Sequence, residues 1–520
     1  MSSEDTAYTA LHNDLILREI MTSLSDLPVQ SNRGLRDTQA DSTLASCARV
    51  CSLFREHALN ALWWHMDTLM PLLKILTSSV IALPTGPGST QIVKALHLPI
   101  RDDEWLRLLS YARRIRRLYV RDIDFEHVDP TVWMTLAAQN AGSPLLSNLL
   151  HLQWSHLAIL NVIHILPPSI QKLQATSTPP LEGLSIHSRP LVTRNEVVFQ
   201  NIIYILASRA TDVQDLSLRV SHASILEPID RFRSLRRLYF DASRTGPLTR
   251  PLFDKLSRLQ SLERLFIDLP NHTEVTSSPD GFPALREIRL AGNPAGIKRV
   301  LSAIRGAQLA VVTLIFKNLE ESELPSICSI LYNLRDCGSS SIHFLALKVI
   351  PRVLASSIVH ESKGILKPLL TLRNVQRIDI QILSKLVVSA EDLQDIAVAW
   401  PNVITLHLFY IEDGQPLPPL SSLSLLAKHC PDLRSLELPG LQDCDVDFSN
   451  LRVSSHNLRR IFLGKQMVPS EKLARFLCAL FPRLGTSVSH SHGPQWREMM
   501  TMIAALQKEA EVCEKNDGGI

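Results

Sequence analysis

The sequence predicts an α/β solenoid, with short parallel strands on a concave face and helices on a convex face, preceded by a small three-helix module. Three observations predict it. The chain has 520 residues, more than one hydrophobic core organises, so several domains or a repeat array is expected. It carries 85 leucines while aromatics are only 6% of residues, which suits a core of many similar thin layers. An apolar triplet at positions x, x+3 and x+5 recurs thirteen times between Ile115 and Leu463, with starts 22 to 34 residues apart. That spacing is the period of stacked strand-and-helix units.

In chain order, residues 1–9 are polar and expected to be disordered. Residues 10–76 form the helical module. Asp14 is expected to cap a first helix whose apolar positions Leu15, Ile16, Leu17, Ile20, Met21 and Leu24 fall at helical spacing. A polar insert from Pro28 to Asp41 holds the loop Asn32-Arg33-Gly34, and Asp41 or Ser42 then caps a second helical stretch. This stretch runs from Thr43 through Arg55 to Trp63-Trp64, and Pro71 to Leu76 closes the module. Residues 77–110 read as a linker and helical cap, 111–490 as the solenoid, and 491–520 as a closing helix and tail. In the last segment Met499, Met502, Ile503 and Leu506 share one face of a helix from Gln495 to Lys515, ahead of a frayed 516–520.

The triplets begin as Ile115-Leu118-Val120, Leu149-Leu152-Trp154, Leu181-Leu184-Ile186 and Val213-Leu216-Leu218. They continue through Leu285-Ile288-Leu290 and Val311-Leu314-Phe316 to Leu458-Ile461-Leu463. On a strand, x+3 and x+5 point inward while x+2 and x+4 point out. Stretches with helical character lie between copies, such as Val197 to Ala207, Leu252 to Leu259, Leu393 to Trp400 and Leu423 to His429, and return the chain for parallel pairing. This pattern resembles the leucine-rich repeat family. Only the copy Leu285, Ile288, Leu290, Asn293 keeps that family's asparagine, so no regular asparagine ladder is expected. Thr273 to Gly281 and Glu412 to Pro419 are expected to be loops. The outward positions Arg117, Arg237, Arg264, Arg286, Arg289, Glu437 and Arg460 are candidates for contact with a protein target, and their mostly basic character points to an acidic or phosphorylated one.

In the N-terminal module, the string Leu44-Ala45-Ser46-Cys47-Ala48-Arg49-Val50-Cys51 to Phe54, followed by Ala61-Leu62-Trp63, resembles the second half of an F-box. Leu15-Ile16-Leu17-Arg18-Glu19-Ile20-Met21 is similar to its first helix. Trp105 to Leu118 is similar to a junction common in F-box proteins of mushroom-forming fungi. The resemblance implies a substrate-recognition subunit of an SCF-type ubiquitin ligase, bound to the Skp adaptor and through it to a cullin-RING ligase. It assigns Leu15, Ile16, Ile20, Leu44, Val50, Cys51, Phe54 and Trp63 to the adaptor interface or to the helical core behind it. Such a receptor is no enzyme; it supplies proximity. The alternative is a leucine-rich scaffold unrelated to ubiquitination, in which residues 10–76 only cap the solenoid.

Composition narrows the choice. A net charge of +3 gives no field that marks a nucleic-acid binder. No apolar run is long enough for a membrane span, and Met1 to Asp14 lacks the basic start of a secretory signal, so a cytoplasmic or nuclear location is expected. The eight cysteines form no paired framework; Cys47 and Cys51 read as packing residues. No phosphate-binding glycine loop, H-E-x-x-H or G-x-S-x-G motif occurs, and His490 and His492 lack further ligands nearby. No cofactor or metal is expected. Arg113, Arg114, Arg116 and Arg117 read as the solvated end of a helix that meets the first strand.

Overall fold

The structure is a computed structural model that describes residues 13–25, 38–84, 92–120, 128–129, 131–155, 163–176, 194–219, 223–241, 248–270, 281–304, 308–320, 323–337, 340–352, 359–411, 417–442, 456–464, 468–485 and 494–517. Two compact units, Met1–Gly246 and Pro247–Ile520, divide the chain, and each has its own strands and helices. The expected disorder of 1–9, the loop at 32–34, the triplet at 181–186 and the pair His490 and His492 lie outside the described residues, as does most of the loop from Thr273 to Gly281.

The first unit opens with three helices, α1 (Asp14–Ser25), α2 (Thr38–Cys47) and α3 (Ser52–Trp64). They close around Met21, Leu44, Ala58 and Ala61, with Leu24, Cys47, Ala48, Phe54 and Leu62 packed against that cluster. Asn13 rather than Asp14 caps α1: its side-chain oxygen accepts from the amides of Leu15 (3.0 Å) and Ile16 (3.4 Å), and Asp14 instead bonds His57 at 2.8 Å. α2 starts at Thr38, inside the stretch expected as loop. The helix expected from Thr43 through Trp64 is two helices. A straight helix from Thr38 to Trp64 would be roughly 40 Å long, too long for Leu44 and Ala61 to share one small core. The chain turns at Ala48 to Val50 and Cys51 becomes the extended N-cap of α3, so Val50 and Cys51 lie at a corner rather than on a helix face.

α3 runs directly into β1 (His65–Met66), followed by α4 (Met70–Leu73), β2 (Val80–Pro84), β3 (Ile92–Leu96), α5 (Asp102–Ala112) and β4 (Arg117–Val120). The segment expected as linker and helical cap therefore holds an antiparallel pair, β2 with β3. Its signal was present in Val80-Ile81 and Ile92-Val93 flanking the Pro-, Gly- and Ser-containing stretch from Pro84 to Ser89. Glu104 on α5 is buried, 3% exposed, and accepts from Thr77 Oγ1 (2.9 Å), the Ser78 amide (2.8 Å) and Ser79 Oγ (3.2 Å). Burial would raise this carboxyl's pKa, but its hydrogen bonds outweigh burial and lower it to about 2.

The unit continues with α6 (Thr131–Gln139), β5 (His151–Ser155), β6 (Lys172–Thr176), α7 (Arg194–Arg209), β7 (Asp215–Arg219) and β8 (Arg237–Asp241). Its strands pair in parallel in the order β1-β4-β5-β6-β7-β8. Between β5 and β7 lies the copy Ile170-Leu173-Ala175, all buried. Alanine at x+5 hid this copy from a search led by leucine.

The second unit contains α8 (Arg250–Ser257), β9 (Arg264–Asp268), β10 (Glu287–Gly292), α9 (Pro294–Ala303), β11 (Val311–Leu319), α10 (Leu324–Asn333) and β12 (Phe344–Pro351). Then come β13 (Val359–Glu361), α11 (Ser362–Leu369), β14 (Arg377–Val387), α12 (Ala390–Ala399), β15 (Thr405–Ile411), α13 (Ser422–His429), β16 (Ser435–Leu438), β17 (Arg460–Leu463), α14 (Glu471–Leu480) and α15 (Pro494–Asp517). The parallel order is β9-β10-β11-β12-β14-β15-β16-β17, and β13 adds to β14. Stacked strand-and-helix repeats are thus the architecture of both units.

Register corrects one further copy. Ile288 pairs with Val312 and Leu290 with Leu314, so the repeat there is Leu309-Val312-Leu314, and Val311 belongs to the outward row. Asn293, the one family-type asparagine, caps α9 by accepting from the Gly296 amide at 2.7 Å. The closing helix runs through Asn516 and Asp517, expected to be frayed. It buries Trp496, Met499 and Ile503 and packs along α14. Pro419 and Leu420, at the end of the expected loop from Glu412, join Gln442 through a bridge and a 3.0 Å bond from the Leu420 amide.

Candidate functional site

Two surfaces carry the candidate residues. On the helical module, helical periodicity sends Leu17 and Met21 inward at 0% and 3% exposure. The same periodicity leaves Leu15 (72%), Ile16 (40%) and Ile20 (42%) exposed on α1, and Val50 is 68% exposed at the corner. Cys51 beside it is exposed too. Ile16, Glu19, Ile20, Ser23 and Leu24 line a shallow groove of about 500 Å³ along α1. Burying one such side chain is worth about 1.5–3 kcal/mol, so several on one helix leave much apolar area uncovered. Leu44 is fully buried and Phe54 half-buried against the same core. Trp63 is half-buried and packs its ring on Tyr111 of α5, with centroids 4.6 Å apart at 37°. The eight residues thus separate into an exposed set and an internal set.

In the basic stretch Arg113 and Arg117 are exposed, while Arg114 and Arg116 are engaged with α3. Arg114 pairs with Glu56 at 2.7 Å and bonds Asn60 on α3. The Arg116 guanidinium lies 5.8 Å from the Trp64 ring, and the Arg116 amide donates to the Trp64 carbonyl at 3.0 Å. Together with the pairing of β1 and β4, these bonds tie α3 to the repeats.

The second surface is the outward row of the strands. In the first unit, strand register aligns His65, Arg117, His151, Lys172, Asp215 and Arg237 side by side. A second row places Tyr119, Gln153, Gln174, Ser217 and Tyr239 beside it. Arg237 is engaged by Asp215, and Arg219 by Asp241 at 3.5 Å. In the second unit Arg264 pairs with Glu287 at 3.2 Å, and Glu437 lies 3.9 Å from His407. Arg289 and Arg460 are exposed in their rows, aligned with Phe266 and Ser435. Arg286 is not in a row: it precedes β10, and its carbonyl accepts from the amides of Ala310 (2.7 Å) and Val311 (3.0 Å).

His151 and Lys172 were missed as candidates. His151 sits at x+2 of the Leu149 copy and was legible there. Lys172 belongs to the copy hidden by Ala175. The His151 imidazole pKa is lowered, first by burial, then by Arg117 and Lys172, with Asp215 opposing.

Among the described residues, no group of three or more His, Cys, Asp and Glu could hold a metal ion, and no helix is long and apolar enough to cross a membrane. No family model matches the sequence, and no curated protein matches it. Among solved structures, the crystal structure of the Rad7 and Elc1 complex in yeast contains a chain similar to this one. The two are 11% identical with a TM-score of 0.38, over 88% of this chain and 95% of that one.

Proposed function

We propose that this chain is the substrate-recognition subunit of an SCF-type ubiquitin ligase, with α1 to α3 acting as an F-box that docks on the Skp adaptor. One observation carries the reading: a module of three helices closes its own core with Met21, Leu44, Ala58 and Ala61, yet presents Leu15, Ile16, Ile20 and Val50 to solvent. A cap with no partner would be expected to turn polar side chains outward there. In this reading the outward strand rows hold the target, and the chain makes no bond itself. It raises the target's effective concentration near the ubiquitin-charged enzyme on the cullin and RING subunits, in the cytoplasm or nucleus.

The competing reading is a repeat scaffold whose helices only cap the sheet. The pairing of β1 with β4 and the bond from Arg116 to Trp64 favour it, because they use α3 as the end of the repeat stack. Co-expression with a tagged Skp adaptor, followed by size exclusion, separates the two. The receptor reading expects a stoichiometric complex that Ile16→Asp with Ile20→Asp destroys while the chain stays folded. A soluble chain that ignores the adaptor overturns it.

A further inference from the structure

In several places in the outward rows a cation faces a carboxylate on the next strand, as in Arg237 with Asp215, Arg219 with Asp241, and Arg264 with Glu287. On strands β4, β5 and β6 basic groups instead adjoin one another. Register puts Arg117, His151 and Lys172 next to one another. At about 4.8 Å between strands, three basic groups stand within roughly 10 Å. Like charges directly opposite each other destabilise a sheet. Among the described residues neither Arg117 nor Lys172 makes an ion pair, and the nearest carboxylate in the row, Asp215, is taken by Arg237. The three basic groups, with His65 at the row's end and Tyr119, Gln153 and Gln174 of the second row, line a dent of about 260 Å³.

We propose that this dent binds a tetrahedral dianion of the phosphoryl class, with Arg117 and Lys172 as its cationic donors and His151, Gln153 and Gln174 as further donors. An anion removes the mutual repulsion that the empty row carries. A phosphoryl group fits better than a carboxylate, because its three terminal oxygens spread toward three separate strands and its second negative charge meets a second cation. The site stands apart from the adaptor reading, since none of its residues belongs to α1, α2 or α3. The phosphoryl group can come from a phosphorylated protein segment or from a free phosphate ester, and the test separates them.

Calorimetric titration of the full chain with inorganic phosphate should show saturable binding beyond the response to sodium chloride of equal ionic strength. Arg117→Gln and Lys172→Gln, both at exposed positions, should each weaken it at least about tenfold, whereas Arg264→Gln in the second unit should not. A capped phosphoserine tripeptide that binds tighter than phosphate identifies a protein-borne group; equal affinity identifies a free ester. Sulfate keeps its charge between pH 8 and 5 and should bind tighter as the pH falls and His151 gains a proton. The other groups facing His151 are Arg117, Tyr119, Lys172 and Asp215, with His65 and Asp67 at the row's end; His151→Gln should flatten the profile and His407→Gln in the second unit should not. Phosphate binding unchanged in the Arg117→Gln, Lys172→Gln double variant, or matched by chloride, overturns the proposal.

Discussion

The ring of Trp63 packs on that of Tyr111, 4.6 Å between centroids, so an aromatic at the end of α3 faces the cap helix of the repeats. This contact makes Trp63 a joint between two elements of the fold rather than a docking residue. Trp63→Ala should cost about 2–3 kcal/mol of stability and leave capture of the Skp adaptor by the folded fraction unchanged. Urea unfolding and the co-expression assay, run on the same variant, check the two halves of that expectation.

Leu44 and Ile20 should behave oppositely. Leu44 is fully buried and Ile20 is 42% exposed. Leu44→Asp places an unpaired carboxylate in the small helical core and should cost more than about 3 kcal/mol. Ile20→Asp should shift stability by less than about 1 kcal/mol yet abolish the adaptor complex. Circular dichroism melts alongside pull-down read both; an Ile20→Asp variant that still binds the adaptor with full stoichiometry counts against α1 as the docking helix.

His456 gives the second unit a pH dependence. Its Nε2–H donates to the Cys430 carbonyl at 2.8 Å, and its Nδ1 accepts from the Leu458 amide at 3.1 Å, so the neutral ring satisfies both bonds. Burial pushes its pKa down from 6.5, with the Cys430 bond and Asp432 opposing. The folded state therefore resists a proton that the unfolded chain accepts near pH 6.5, and the contribution to stability is full above that pH and lost as pH falls below it. The drop in the urea midpoint from pH 7.5 to 5.5 should be larger in the parent than in His456→Asn.

Gly464 ends β17 at φ +65°, and a Cβ there would collide with the Pro439 carbonyl after β16. Gly464→Ala combines a left-handed backbone with a clash that only main-chain movement relieves, and should cost more than about 2 kcal/mol. Hydrogen exchange should show faster opening of β16 and β17 than of β11 and β12.

The leucine period made the repeats legible because inward strand positions admit only apolar side chains. Leu118, Leu238, Ile378 and Leu436 are all buried, as alternation requires. Where the pattern misled, the cause was local: Ala175 is apolar without being conspicuous, and Val311 is apolar although it faces out. The loop-like polarity of Thr38 to Asp41 concealed the first turn of α2, and Val50-Cys51 read as helix because neither residue breaks one.

By itself the sequence determined a strand-and-helix repeat and the presence of an apolar N-terminal helical module, since these follow from periodicity along one chain. Only the tertiary structure decided which apolar residues of that module stay exposed, and which cations meet a carboxylate. Leu44 and Ile20 look alike in a helical pattern and differ by what packs over them. Arg237 and Arg117 occupy the same repeat position, and only strand register sets an aspartate beside one and a histidine beside the other.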